Sequence, residues 1–272
     1  MATRRVLVYI IISFLLCPYA ELSALASPLN YQGTHILTYK TMYELSDAYY
    51  RKTGIRVQVR GGGCADGISA VLHGRALMGG LCCPLPERTL QRMGLVAYRV
   101  ASDIKVVVVN PENPIQSITL DELRKIHQGK IKSWSALGWL SRPVALIFRK
   151  HCLDMKEPLR GLLGINDDLS NLNKRTITVR TDKQVVDYVS TFKTAIGVTS
   201  KVFTEGKRVK LLRVNNVEPN AENVRKGLYP LYSPLFIIVK KERKGDALGF
   251  INFMLSKEGR AIINKHLSEA GF

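Results

Sequence analysis

An α/β chain of two lobes is the fold this sequence predicts, and three observations carry it. Short alternating or β-branched stretches take turns with segments of helical spacing along most of the chain, the pattern of helices packed on sheets. Residues 105–109 (KVVVV), four successive valines behind a lysine, form a β-branched run that suits a parallel strand buried on both faces. Directly behind it, Asn110-Pro111-Glu112-Asn113-Pro114 breaks the pattern and reads as a crossing between lobes. With 272 residues, 46% of them apolar, there is material for two cores.

The amino-terminal segment stands apart from the fold. Arg4 and Arg5 precede an apolar run over residues 6–16, too short to span a bilayer comfortably, and Ala24-Leu25-Ala26 offers a small-x-small cleavage site. A signal peptide over 1–26 is therefore expected, with a periplasmic or otherwise extracytoplasmic mature protein; a retained membrane anchor is the alternative. The first mature strand is expected over 35–39. A helix follows from 41 to 52, with Met42, Leu45, Ala48 and Tyr49 on one face. Residues 55–59 alternate as a second strand. Gly61, Gly62 and Gly63 end it in a loop whose backbone can approach a ligand closely. A short helix over 66–73 would leave Cys64 near its positive end.

In the second half, Thr119 and Glu122 stand three apart, as a capping box requires. Residues 144–148 form a buried strand that delivers Arg149, His151, Cys152 and Asp154. A strand over 195–200, a returning strand over 236–240 and one last helix over 249–261 complete the order. Phe250, Phe253, Met254 and Ile262 are expected on that helix's apolar side.

Removing Arg4, Arg5 and Glu21 from totals of 40 basic and 22 acidic residues leaves 38 and 21, a net of +17. Such a field favours anionic ligands, anionic lipid or nucleic acid. The basic residues are scattered and no aromatic-plus-basic motif accompanies them, which argues against nucleic acid. A basic solvated surface is the plain alternative. No nucleophile–base or acid–base pair stands out, so the chain is not expected to be an enzyme.

Several stretches resemble one family. GGGCADGI at 61–68 and GRALMGGLCCPL at 74–85 resemble the ligand loops of phosphate-binding ABC-transporter receptors, whose frame is GGGSGxGI and then GxxDIGxSSRPL. ITLDELRKIHQGKIKSW at 118–134 is similar to the family's LTxxQLxxIFxGKIxNW. RKHCLD at 149–154 stands where the family has Arg-x-x-Ser-Gly-Thr. AIGVTS at 195–200 and PNAENVRKGLYPL at 219–231 resemble AIGYVS and PTAENVxxGxYPL. The resemblance implies a two-lobed class II periplasmic binding protein fold, with mixed sheets and a ligand cleft between lobes. Lobe one would be 33–110 with 232–272, and lobe two 111–231. It implies a monomer that closes on a small ligand and passes it to an ABC permease.

The resemblance also locates what has changed. Cys64 replaces the family's first serine, Cys82 a serine or aspartate with Cys83 beside it, and Cys152 the serine after Arg149. Leu153 and Asp154 replace the glycine and threonine. Thiols are weak donors and a thiolate repels anions, so phosphate binding should be weakened. Thiolates suit a thiophilic metal ion, metal cluster or metalloid. The implied metal set is Cys64, Cys82, Cys83, Cys152 and His151, with Lys40, Thr41, Arg149 and Asp154 completing the ligand site. Three alternatives stay open. A disulfide could join Cys64 to Cys82 or Cys83, an even cysteine count being usual in an oxidising compartment. The cleft could still hold phosphate or another oxyanion through Arg149 and loop amides. The scaffold could serve a metal or redox carrier without a transporter. His73 and His127 read as surface or capping residues at helix ends, Trp134 and Trp139 as lobe-two packing, and Met78 as core. Lys40 could face the cleft or simply be solvated.

Overall fold

The structure is a computed structural model that describes residues 29–150 and 158–269. The proposed signal peptide, His151, Cys152, Leu153 and Asp154 lie outside them. The chain runs β1 Leu29–Thr34, α1 His35–Leu37, α2 Tyr43–Thr53, β2 Val57–Gly62, α3 Cys64–Leu72, β3 Met78–Leu81, α4 Glu87–Arg92, β4 Leu95–Val109, β5 Ser117–Ile118 and α5 Leu120–His127. It continues through β6 Ala145–Arg149, α6 Pro158–Leu162, β7 Ile177–Val179, α7 Asp182–Thr191, β8 Ala195–Ser200, β9 Lys210–Val214, α8 Ala221–Arg225, β10 Tyr232–Lys240, α9 Lys244–Leu255, α10 Lys257–His266 and β11 Ser268–Glu269.

The sheet path is β2-β1-β3-β10-β4-β8-β6-β7. It is mixed: β1 pairs parallel with β2 and β3, β10 antiparallel with β3 and β4, and β6 parallel with β7 and β8. Two cores flank it. One gathers residues from 29 to 101 with Val202 and residues from 235 to 267; the other gathers residues from 104 to 231. Met78 belongs to the first, fully buried. Trp134 belongs to the second, edge-on to Trp139 at 5.7 Å, its Nε1–H donating to the Thr194 carbonyl at 2.9 Å.

Four details differ from the sequence expectation. The first strand is β1, six residues before residue 35. Its alternate residues face the core, and Thr34 then caps the turn that follows by accepting from the Ile36 amide at 3.4 Å. The run 105–109 is buried as expected but pairs antiparallel with β8 and β9, because β4 continues straight from one core into the other. The crossing therefore lies inside β4, and Asn110 instead ties off α7, donating to the Val189 and Ser190 carbonyls at 3.1 and 3.0 Å. The last helix is two. Ser256 leaves the helical region at ψ 167 and caps α10 by accepting from the Gly259 amide. The Thr119–Glu122 capping box is present, each side chain reaching the other's backbone amide at 3.1 and 2.8 Å.

Close backbone approach places the start of α3. A Cβ on Gly33 would collide with the backbone of Gly80, and one on Gly80 with the Tyr31 hydroxyl. Strands β1 and β3 thus meet without side chains between them, and α3 lies directly over the pair.

Candidate functional site

A cleft of about 650 Å³ is lined by residues that flank both cores. His35, Thr38, Tyr39, Tyr43, Gly61 and Gly63 come from the first side. Arg149, Arg180, Thr181, Asp182 and Lys183 come from the second. The geometry follows from strand ends: β2 ends at Gly62 and β6 at Arg149, where α/β sheets bind ligands.

Cys64 is the first residue of α3, after Gly63, and Cys82 and Cys83 follow β3 directly. The three are 1%, 4% and 0% exposed. Cys64 Sγ lies 3.3 Å from Cys82 Sγ and also accepts the Cys82 amide at 3.2 Å. All three sulfurs lie within 4.8 Å of one another. Two thiolates on one tetrahedral zinc, with bonds of about 2.3 Å, would sit about 3.8 Å apart. The trio therefore spans the spacing that one shared soft ion needs.

Arg149 Nη1 lies 2.7 Å from Asp182 Oδ2. Asp182, buried at the start of α7, also accepts from Thr199 Oγ1 and the Ser200 amide at 3.0 and 3.1 Å through Oδ1. Ser200 Oγ donates to Asp103 Oδ1 at 2.5 Å, and Asp103 Oδ2 meets Lys105 Nζ at 2.9 Å. A line of polar contacts thus runs from the cleft wall to the crossing in β4. Burial pushes the Asp103 carboxyl up, against the Lys105 ammonium and the Ser200 hydroxyl.

The structure brings Cys64, Cys82 and Cys83 together and sets Arg149 in the cleft wall. Thr41 is fully buried and does not line the cleft; Thr38 does. Lys40 is partly exposed and pairs with Glu205 at 2.5 Å. Arg180, Asp182 and Lys183 were not singled out from the sequence. Their signal was available: Thr181 and Gln184 make a capping box at a strand end, the usual mouth of an α/β cleft.

His73 ends α3 exposed, as expected. His127 does not follow expectation. It ends α5 but is 1% exposed, because Leu123 and Ile126 on the same helix also face the core, and it lies edge-on to Phe148 at 6.1 Å. Its Nδ1 donates to the Leu123 carbonyl at 2.8 Å. Burial pushes its pKa down to about 4, so the neutral ring is the folded form. The stability this contributes is present above the unfolded pKa and lost as pH falls towards about 4. It is on the order of 3 kcal/mol. Urea unfolding of wild type between pH 7 and 4.5 should show this acid loss, and His127→Gln should lack most of it; identical pH slopes would refute the assignment.

Residues 38–258 match the PBP superfamily domain, and the chain belongs to that family. It is 29% identical over 214 residues to the phosphate-binding protein PstS of Bacillus subtilis, covering 74% of this chain and 66% of that protein. The chain thus spans just under two thirds of that relative's length. It is also 29% identical over 273 residues to protein SphX of Synechococcus elongatus, covering 90% and 78%. In fold it matches a proposed phosphate ABC transporter substrate-binding protein from Clostridium perfringens, solved with bound phosphate. The TM-score there is 0.78 at 23% identity, over 90% of this chain and 100% of that one. An ABC-type phosphate transport receptor from Vibrio cholerae matches with a TM-score of 0.70, again at 23% identity over 90% and 100%. The relatives named here are phosphate-binding proteins, and the α/β periplasmic-receptor fold of the two solved structures is the fold of this chain. Among the described residues no helix is long and apolar enough to cross a membrane.

Proposed function

We propose that this chain is an extracytoplasmic solute-binding receptor in which Cys64, Cys82 and Cys83 hold a thiophilic metal ion or metalloid beside the cleft, with Cys152 as a further ligand. The observation that carries this reading is the buried trio of sulfurs within 4.8 Å. Buried thiols so close match soft-metal ligation better than anion binding. Lobe one, expected over 33–110 with 232–272, would give up 104–110 to lobe two, whose core holds Ile104 and residues 106–109, and the lobes would close about β4 and deliver to an ABC permease.

Binding of phosphate or another oxyanion is the second reading, favoured by the names of the relatives and by Arg149 in the cleft wall. Asp182 already neutralises that guanidinium at 2.7 Å. Elemental analysis of protein purified without added metal, with a thiol count under denaturation and phosphate calorimetry on the reduced apoprotein, separates the two. Stoichiometric soft metal with reactive thiols, and phosphate binding at least ~100-fold weaker than a hydroxyl-lined site would give, is the expected outcome. Submicromolar phosphate binding without metal would establish the oxyanion reading instead. Blocked thiols would establish a disulfide, for which Cys64 and Cys82 are the pair in contact.

A further inference from the structure

We infer that the cleft takes an organic anion with an aromatic or similarly planar group, and not a bare inorganic ion. The inference rests on the reading of the chain as a solute receptor but not on the thiols.

The two walls differ in chemistry. Tyr39 and Tyr43 line the first side while 41% and 51% exposed, and Phe203 joins them, its ring 5.3 Å from that of Tyr39. Scattered exposed aromatics are ordinary, but three rings converging on one concave surface are a ligand platform. Opposite them stand Arg149, Arg180 and Lys183; Arg149 pairs with Asp182 at 2.7 Å and Lys183 with Asp187 at 2.6 Å, so three cations against two carboxylates leave that wall with a net positive charge. A ligand matching both walls has an apolar ring at one end and an anionic group at the other. The volume of about 650 Å³ falls in the range of roughly 300–1,000 Å³ typical of clefts for organic ligands.

The platform is held at a cost. Lys40 adopts φ 62 and ψ −58, a conformation a non-glycine residue avoids. Its Nζ is clamped by Glu205 at 2.5 Å, two residues beyond Phe203. The Lys40–Glu205 pair thus joins the two segments that carry Tyr39 and Phe203. Strain of this kind persists where the surroundings enforce it, and such places cluster at ligand clamps.

Calorimetric titration of the mature chain with inorganic phosphate and with phenyl phosphate tests the inference. Phenyl phosphate should bind at least tenfold more tightly. Tyr39→Ala and Phe203→Ala should each bring the ratio towards one, and Tyr39→Phe should keep it. Thermal melts check that each variant is folded. Equal affinities in wild type, a preference that survives Tyr39→Ala, or failure of both probes to bind at millimolar concentration would overturn the inference. Cadmium uptake is measured in parallel. Lost aryl preference with intact cadmium uptake sinks this inference alone; intact preference without cadmium uptake sinks only the thiol reading.

Discussion

Replacing Cys64 and Cys82 together by serine lowers cadmium or zinc affinity by at least about 1,000-fold and leaves the fold intact. The expected loss is large because soft-ion binding resides in the sulfurs. A hydroxyl at neutral pH is a poor ligand for such ions, and about 4 kcal/mol of lost coordination already amounts to three decades. Two of the three described sulfurs disappear, and these are the two in contact at 3.3 Å. Folding should survive because serine is close to cysteine in volume. A buried hydroxyl can also accept the Cys82 amide that now points at Cys64 Sγ. The readouts are competition titration with a chromophoric chelator and a thermal melt. Wild-type affinity in the double variant would show that the cysteines are passive core residues.

Lys105→Met is expected to be the most destabilising single change at the crossing. Asp103 and Lys105 side chains are 0% and 3% exposed and meet at 2.9 Å. Removing one partner of such a pair typically costs about 3–5 kcal/mol, since it leaves the other's charge buried. The pH dependence gives the mechanism away. The Asp103 carboxyl already titrates high because of burial, and the ammonium works against that shift. Without it the folded-state value rises further above the unfolded one. An acid raised in this way is best accommodated below its unfolded pKa, and stability is lost as pH rises through the folded value. The deficit of Lys105→Met should therefore be largest near pH 7.5 and smaller at pH 5, measured as urea unfolding free energies. Adding Asp103→Asn should restore part of it. A deficit independent of pH would mean that lost packing, not the stranded carboxyl, is responsible.

Much of this architecture was legible in the residues, for identifiable reasons. The capping box at Thr119 and Glu122 is a local device, and local devices survive tertiary context. The apolar face of α2, with Leu45, Ala48 and Tyr49 buried and Met42 buried just before it, follows from helical spacing alone. What was not legible depends on partners distant in sequence. The β-branched run at 105–109 looks the same whether its neighbours run parallel or antiparallel, and only β8 and β9 decide. His127 is buried with Leu123 and Ile126 on the core side of α5, against Phe148, and its place at a helix end did not show this. At the site, glycines and cysteines could be placed from the resemblance of their loops. Tyr39, Tyr43 and Phe203 could not, because an aromatic facing a cleft carries the same pattern as one facing a core.

The route of the chain through the first core has a consequence for biogenesis. That core needs residues from 29 to 101 and again from 235 to 267, and β3, which leads into Cys82 and Cys83, takes an edge from β10 at Phe236 to Ile238. The second core is contiguous, from 104 to 231. During synthesis or emergence from a membrane the contiguous half can condense on its own. The split half must wait, because its closing contacts span more than a hundred residues and carry a loop-closure cost before they contribute. The three sulfurs therefore meet whatever oxidants and metals surround the nascent chain before the carboxy-terminal strand arrives to seal them.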